Sequence, residues 1–482
     1  MARRGRLHGT AFIAFALAGV GAPAAAPAIV NDVTGLNPIA VERIVSPTSA
    51  QEIAGLVRAH RGPVCIGGAR HSQGGQIATE GCLFLDMRRM DKILGLDPKN
   101  RRIRVQAGAS WRRIQEAIDP HQLSLRIMQT YSNFTVGGSL SVNAHGRYVG
   151  EGAIIRSVEA ITVVLADGTI VAASRTQHRD IFGAAIGGYG GIGVIVDATL
   201  DLVPNTHIRR MVRRVAVSQY RDYFLRSVAN APGAVFHNAD LYPPDYRTLT
   251  AVTWLKTDRP LTVADRLAPV GAPSSFDRFL LDWLSRGPLG KEIREYVYDP
   301  AQYSRAGVEW RNYEASYDAA SLEPASRAQY TYALEEYFVP VARFETFASA
   351  MAKILTDAHA NVLNVSIRHA GADRESLLSW APQERFAFVL YFGQGVSAAE
   401  RADVRGWTAR LIAEALREGG TYYLPYQIVA TRAQFLKAYP RAPAFFALKA
   451  KLDPDCKFRN ELWDRYDDMP ACRSPAARAA PR

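Results

Sequence analysis

Pro63-Val-Cys-Ile-Gly-Gly-Ala-Arg-His-Ser-Gln-Gly-Gly-Gln76 decides how this chain is read: a short apolar run stops at two glycines, and His71 and more glycine follow. Such a turn presents bare backbone N–H groups to an anion. Two further clusters, Thr135-Val-Gly-Gly-Ser-Leu-Ser-Val-Asn-Ala-His-Gly146 and Ile186-Gly-Gly-Tyr-Gly-Gly-Ile-Gly193, follow within one domain's length of chain. Each alone is also what an ordinary tight turn looks like; together they point to a large phosphorylated cofactor. None is G-x-G-x-x-G opening a helix with an acidic residue about 20 positions on, and none is G-x-x-x-x-G-K-[ST]. Dinucleotide-fingerprint and P-loop sites are therefore disfavoured.

Gly67-Gly-Ala-Arg-His-Ser72, Thr135 to Gly146, Leu165-Ala-Asp-Gly168 and Asp180-Ile-Phe-Gly-Ala-Ala-Ile-Gly-Gly-Tyr-Gly190 resemble, in order and spacing, successive motifs of the FAD-binding (PCMH-type) domain of the vanillyl-alcohol-oxidase superfamily. Leu452-Asp-Pro-Asp-Cys-Lys-Phe-Arg-Asn460 is similar to the D-P-x-x-x-F-x-N close of aldonolactone and alditol oxidases and of the flavin subunit of decaprenylphosphoryl-ribose epimerase. The resemblance implies an α+β fold: a two-subdomain FAD-binding domain at 36–206 and an α+β substrate-binding cap at 207–450. A segment at 451–468 would return to the FAD domain, followed by a disordered tail at 469–482.

It also implies roles. Gly67, Gly68, Ala69, Arg70, Ser72 and Gln73 would cradle the pyrophosphate through backbone N–H groups, with Arg70 adding charge. His71 matches the histidine of a G-H-S motif that bonds the flavin 8α-methyl carbon in some relatives. Arg70 stands where those members have glycine, and a relative with a comparable Gly-x-x-Arg loop holds its flavin non-covalently, so either attachment is open. Thr130, Thr135, Val136, Gly137, Gly138, Asn143 and His145 match isoalloxazine and ribityl contacts, and Val194 an apolar residue whose backbone meets the adenine side. In Asn364-Val-Ser-Ile-Arg-His-Ala370, Arg368 matches the arginine of an S-E-V-R strand, with Ser366 in place of the glutamate. An arginine at the flavin N1–C2=O edge stabilises the negative charge that arrives with hydride. Tyr423-Leu-Pro-Tyr426 resembles a Y-L-x-K stretch, with Tyr423 at a flavin contact and Tyr426 in place of lysine, able to help remove a substrate hydroxyl proton. Read without the resemblance, Arg368 is equally a surface ion-pair member and Tyr426 a packed aromatic. Strand alternation sends His369 to the face opposite Arg368.

The 482 residues suit two domains, and 48% hydrophobic and 22% charged residues suit a globular protein. Half of the +12 net charge lies on Arg3, Arg4, Arg6, Arg473, Arg478 and Arg482. The remaining lysines and arginines are dispersed without aromatic interleaving, which argues against a nucleic-acid partner. Residues 1–28 read as a signal peptide, with arginines, an apolar run from Ala11 to Val20, and Ala22-Pro-Ala-Ala-Ala-Pro-Ala28. That run is too short for a membrane span. An exported protein, periplasmic or secreted, is expected, with Arg3-Arg4 raising the twin-arginine route.

Cys456 and Cys472 could close a short loop in an oxidising compartment. Cys65 and Cys82 read as buried small apolar residues. No C-x-x-C or H-E-x-x-H occurs, so no metal is expected. Helical spacing runs through Ser49 to His60, Trp111 to Ile118, Val341 to His359 and Ala398 to Glu418. Strands are expected at Val41 to Pro47, Ile103 to Ala107, Ile161 to Leu165, Val362 to Arg368 and Arg385 to Phe392. Pro260 to Pro273 and Pro288 to Pro300 read as surface connections.

The expectation is an exported FAD-dependent oxidoreductase, oxidising a CH–OH group of a sugar, aldonolactone, polyol or related alcohol by hydride transfer to flavin N5. Electrons would then pass to O2 or an envelope acceptor. Two alternatives stand beside it: a nicotinamide-dependent reductase on the same fold, and a non-catalytic, electron-carrying envelope flavoprotein, for which Ser366 is the best support.

Overall fold

The Ser49 side chain accepts from Glu52 N and opens the helix Ala50–Ala59, which buries Ile53, Ala54 and Val57. This is a computed structural model, and it describes residues 27–270, 287–299, 301, 307–319, 324 and 326–472. Most of the expected leader, and the tail beyond Cys472, lie outside the described residues. The helix joins Arg43–Val45 to Val64–Gly67, the outer strands of a parallel sheet ordered Arg43–Val45, Leu83–Asp86, Val64–Gly67. Its apolar face shares a small core with Val64, Leu83, Leu85 and Phe458, and with Val164 and Val194 from a second sheet.

That second sheet is antiparallel, in the order Ile170–Ser174, Val158–Val164, Val194–Pro204, Arg102–Gln106, Ile93–Asp97, with Leu123–Leu125 paired to the end of Val194–Pro204. The helix Trp111–Ile118, capped by Ser110, buries Trp111, Ile114 and Ile118 in the main core. Each such fully buried aliphatic side chain contributes about 1.5–3 kcal/mol.

A third, eight-stranded sheet follows: Val308–Trp310, His207–Ala216, Thr248–Lys256, Ala234–Leu241, Val362–Ala370, Arg385–Gly395, Tyr330–Pro340, Thr421–Tyr422. All its pairings are antiparallel. Alternation divides its two faces. Tyr337, Val365 and Ile367 enter the core with Phe347 and Met351 of the helix Phe344–Asp357 and Leu411 of the helix Ala398–Arg417. Leu334, Glu336, Asn364, Ser366 and Arg368 face a cavity on the other side. The architecture is α+β: the parallel sheet, the antiparallel sheet and a two-stranded pair, Ala28–Val30 with Ile39–Val41, precede a sheet-and-helix cap.

The chain then turns back. Phe458 bridges Val64, Lys457 Nζ donates to Val57 O at 2.9 Å, and Lys449 Nζ donates to Gly191 O at 3.1 Å and to Asp453 at 2.9 Å. A Cys456–Cys472 disulfide closes this segment. No helix among the described residues is long and apolar enough to cross a membrane.

Two expectations are corrected. Cys65 and Cys82 are buried, as read, but they are also disulfide-bonded, with Cα atoms 6.0 Å apart. Parallel pairing sets Val64 opposite Leu83 and brings both sulfurs to one side of the pair, a register that spacing alone does not reveal. Pro288 to Pro300 is not a plain surface connection: the helix Gly287–Ile293 and the π-helical turn Arg294–Tyr298 put Arg294, Tyr298 and Asp299 on the cavity wall.

Candidate active site

The three glycine-rich loops converge on a cavity of about 1090 Å³ between the first two sheets and the cap sheet. The first leaves the strand Val64–Gly67. A Cβ on Gly68 would collide with Thr135 Oγ1 of the second loop, so glycine there lets the loops touch. The second forms the short helix Val136–Ser141, and the third connects the helix Arg179–Ala185 to the strand Val194–Pro204. Each carries one non-glycine residue in the left-handed region: Arg70 at φ 62°, Asn143 at 49° and Tyr189 at 49°. Strain of this kind persists only where the surroundings hold it. At Arg70 the holders are Asp86, 3.0 Å from Nη2, the Phe84 ring, 4.9 Å beneath the guanidinium, and Val33 N, which donates to Arg70 O.

Most of the residues expected at a cofactor reach this cavity. Gly68, Ala69, Arg70, His71, Ser72, Gln73, Thr130, Thr135, Gly137, Gly138, His145 and Tyr423 line it, as do Arg368 and Tyr426. His71 stacks on Phe134 with ring centroids 3.9 Å apart. Gln73 ties the first loop to the cap, its Oε1 accepting from Leu334 N at 2.7 Å, and Tyr423 does the same for the second, donating to Val142 O at 2.8 Å.

Four do not line it. Gly67 ends its strand against the Phe84 ring, Val136 is a core residue, and Val194 packs in the small core. Asn143 is fully buried with its side chain turned outward from the cavity: Nδ2 donates to Asp373 Oδ2 at 2.9 Å and Oδ1 accepts from Ile155 N. Its work is to fasten the second loop to the segment after the strand Val362–Ala370.

The cavity fits a large anionic, partly aromatic cofactor. Buried polar atoms that lack a protein partner, Thr130 Oγ1, Thr135 Oγ1 and Arg70 Nε, belong to residues that line it, and such atoms cost free energy until something bonds them. Gly68, Gly137, Gly138, Gly190 and Gly193 bring backbone to its wall, and the bulk of the lining is apolar, as an isoalloxazine ring requires.

On the cap side, register explains which groups converge. Asp240, Ser366, Val389 and Glu336 are partners across four adjacent strands and all four line the cavity. Arg368 lies two residues beyond Ser366, and His369 points the other way, against Phe224 and Phe386. Burial pulls the Arg368 guanidinium below its ordinary range, opposed chiefly by the nearby Glu336 carboxylate. Its Nε has no hydrogen-bond partner, and neither has Asn364 Oδ1. Burial, reinforced by Glu336, holds the Tyr426 phenol well above its usual range.

Sequence reasoning missed Glu336, Arg147, Asp240 and Asn364. Glu336 is one of two adjacent glutamates in Tyr-Ala-Leu-Glu-Glu-Tyr337, and only strand phase shows that Glu336 faces the cavity while Glu335 is buried on the opposite face. Arg147 follows the second motif directly, and its Nη1 donates to Glu314 Oε1 at 2.8 Å.

Comparison with known proteins agrees with this arrangement. Residues 41–174 match the family described as FAD binding domain. The chain is 31% identical to L-gulonolactone oxidase of Mus musculus over 170 residues, which span 35% of this chain and only 38% of that protein. It is 26% identical to alditol oxidase of a Streptomyces species over 433 residues, 86% of this chain and 93% of that one. It is 23% identical to decaprenylphosphoryl-beta-D-ribose oxidase of Mycolicibacterium smegmatis over 462 residues, 91% and 94% of the two chains.

Proposed function

With an FAD binding domain at residues 41–174 and sugar, alditol and lactone oxidases among its relatives as the premise, we propose that the protein is an FAD-dependent oxidoreductase acting on a CH–OH group. Its substrate would be a sugar, polyol, lactone or related alcohol. The observation that carries the proposal is the convergence of a half-buried arginine, Arg368, and a half-buried phenol, Tyr426, on the cavity that the glycine loops line. FAD supplies N5 as the hydride acceptor. Arg368 would stabilise the charge that develops beside it, Tyr426 would orient and deprotonate the substrate hydroxyl, and the apolar walls would exclude water. Gly68 to Ser72 would hold the pyrophosphate, Gln73 being spent on the cap through Pro425 O and Leu334 N, and His71 would bond the flavin 8α carbon. The leader-like residues 1–28 support export to the periplasm or beyond, with O2 or an envelope acceptor taking the electrons.

One observation favours a second reading. Ser366 cannot ionise, which suits an electron-carrying flavoprotein without its own alcohol substrate. The test is the visible spectrum of the purified protein, acid precipitation, and anaerobic addition of a sugar, polyol and lactone panel. A yellow pellet released by His71→Ala and a flavin bleached by an alcohol support the proposal. Bleaching only by a protein or mediator donor supports the carrier, bleaching by NADPH a reductase, and a colourless protein that takes up no FAD overturns all three.

A further inference from the structure

We propose that Glu336, held by His145, is the positioning carboxylate that receives the phenolic proton of Tyr426 as Tyr426 takes the hydroxyl proton of a substrate. The inference rests on the oxidoreductase reading above and names the end of its proton path.

Glu336 is 2% exposed, and its two oxygens have different partners. Oε1 lies 2.5 Å from His145 Nε2. His145 Nδ1 faces Gly146 O at 3.3 Å, and a carbonyl oxygen only accepts, so Nδ1 carries a proton. The Nε2–Oε1 bond therefore holds one proton between the two groups, and Oε2 is left to accept another. The imidazole stays in this orientation because Trp380, Phe338 and Tyr423 box it at centroid distances of 4.9, 5.5 and 6.0 Å.

Oε2 faces Tyr426 OH at 3.5 Å, a separation of the kind that tightens when substrate closes a site. The phenol is too weak an acid in this pocket to lose its proton beforehand, so it acts as a base only by handing that proton on as it gains another. Of the other residues in the same row, Ser366 and Val389 cannot take it, and Asp240 accepts from Asn364 Nδ2 at 2.9 Å at the row's far end. Arg368, whose charge Glu336 attracts, lines the same cavity.

The step balances. The substrate O–H proton goes to Tyr426 Oη, the phenolic proton goes to Glu336 Oε2, and the C–H hydrogen leaves with its electron pair to the flavin, the oxidant of the proposed reaction. The carbon becomes a carbonyl, and the positive charge gained by the Glu336–His145 pair offsets the negative charge gained by the acceptor.

Two readouts on the full-length holoprotein test this. In protein labelled with 15N-histidine, His145 is assigned by the signal missing from His145→Gln. Its Nδ1 is expected to be protonated, with Nε2 moving to the bare-nitrogen range in Glu336→Gln; a bare Nδ1, or an Nε2 unmoved by the substitution, overturns the pairing. In anaerobic flavin reduction by the best alcohol for the wild type, Glu336→Gln and Tyr426→Phe are each expected to be about 10²-fold slower or more. The double variant should be no slower than the slower single, and Glu336→Asp should recover part of the rate. Wild-type rates in Glu336→Gln, or effects that multiply, overturn the relay alone. A wild type reduced by no alcohol overturns the functional reading and the relay with it, even with the nitrogen signals as expected.

Discussion

Arg70 takes a backbone conformation that favours glycine, φ 62°, while its Nη2 rests 3.0 Å from Asp86 Oδ2. The charge pair holds the turn in place of the missing conformational freedom, in a residue that lines the cavity.

Replacing Arg70 with glycine removes a backbone cost of about 1 kcal/mol and loses the ion pair. The thermal midpoint is expected to stay near that of the wild type while the flavin-to-protein ratio falls, which absorbance at the flavin and protein bands measures. Burial pushes the Asp86 carboxyl up, but the hydrogen bond and charge of Arg88, with Arg70, outweigh it and leave its pKa below 3.8. The stability it contributes is present above the ordinary aspartate range and is lost only as pH falls through the lower folded value. The Asp86 contribution to the thermal midpoint should therefore hold down to about pH 4 in the wild type, which melts across the acid range measure.

Arg368→Ala should slow anaerobic flavin reduction by about 10²–10³-fold, the usual effect of losing one donor to a developing charge. The same variant should lower the flavin reduction potential, read by dye equilibration. Arg368→Lys keeps the charge without the planar fork and is expected to fall between the two.

Glu309 titrates far from its ordinary range, raised to about 8 by burial and then by the neighbouring Glu314 carboxylate. A carboxyl whose folded value is raised favours the folded state fully below the unfolded value near 4.5, and that contribution is lost as pH rises through about 8. Glu309→Gln should therefore match the wild type in thermal midpoint at pH 5 and exceed it at pH 9. Equal midpoints at both would show that Glu309 is ionised in the folded protein at neutral pH.

The two disulfides span 17 and 16 residues of sequence. Loop closure of that length is worth about 3 kcal/mol each. Cys65→Ser with Cys82→Ser should cost stability and loosen flavin, because the first bond underlies the strand that launches the Gly68 turn. Cys456→Ser with Cys472→Ser should cost stability with a smaller effect on flavin. Thermal melts with flavin fluorescence as a second probe separate the two.

Much of the fold was legible because its signals are local. The helices Ala50–Ala59 and Trp111–Ile118 show their caps and apolar spacing within their own residues, and the strand Val362–Ala370 shows its alternation. The Arg368 and His369 faces followed from that alternation alone. Asn143 was misjudged for the opposite reason: its place in the second motif is local, but the direction of its side chain is set by Asp373 and Ser376, more than 200 residues later. The Pro288 to Pro300 stretch looked like a connector because proline marks turns whether they face solvent or a cavity.

By itself the sequence determined the three glycine loops and the elements that carry them, since these depend on backbone freedom and period, and the likeness of those loops to a known family pointed to the cofactor. Only the tertiary structure decided that Cys65 meets Cys82, that Glu336 rather than Glu335 faces the cavity, and that His145, Tyr426 and Arg368 gather round it. Those meetings depend on strand register and on packing between segments far apart in the chain. A shift of one residue would turn every such side chain to the other face.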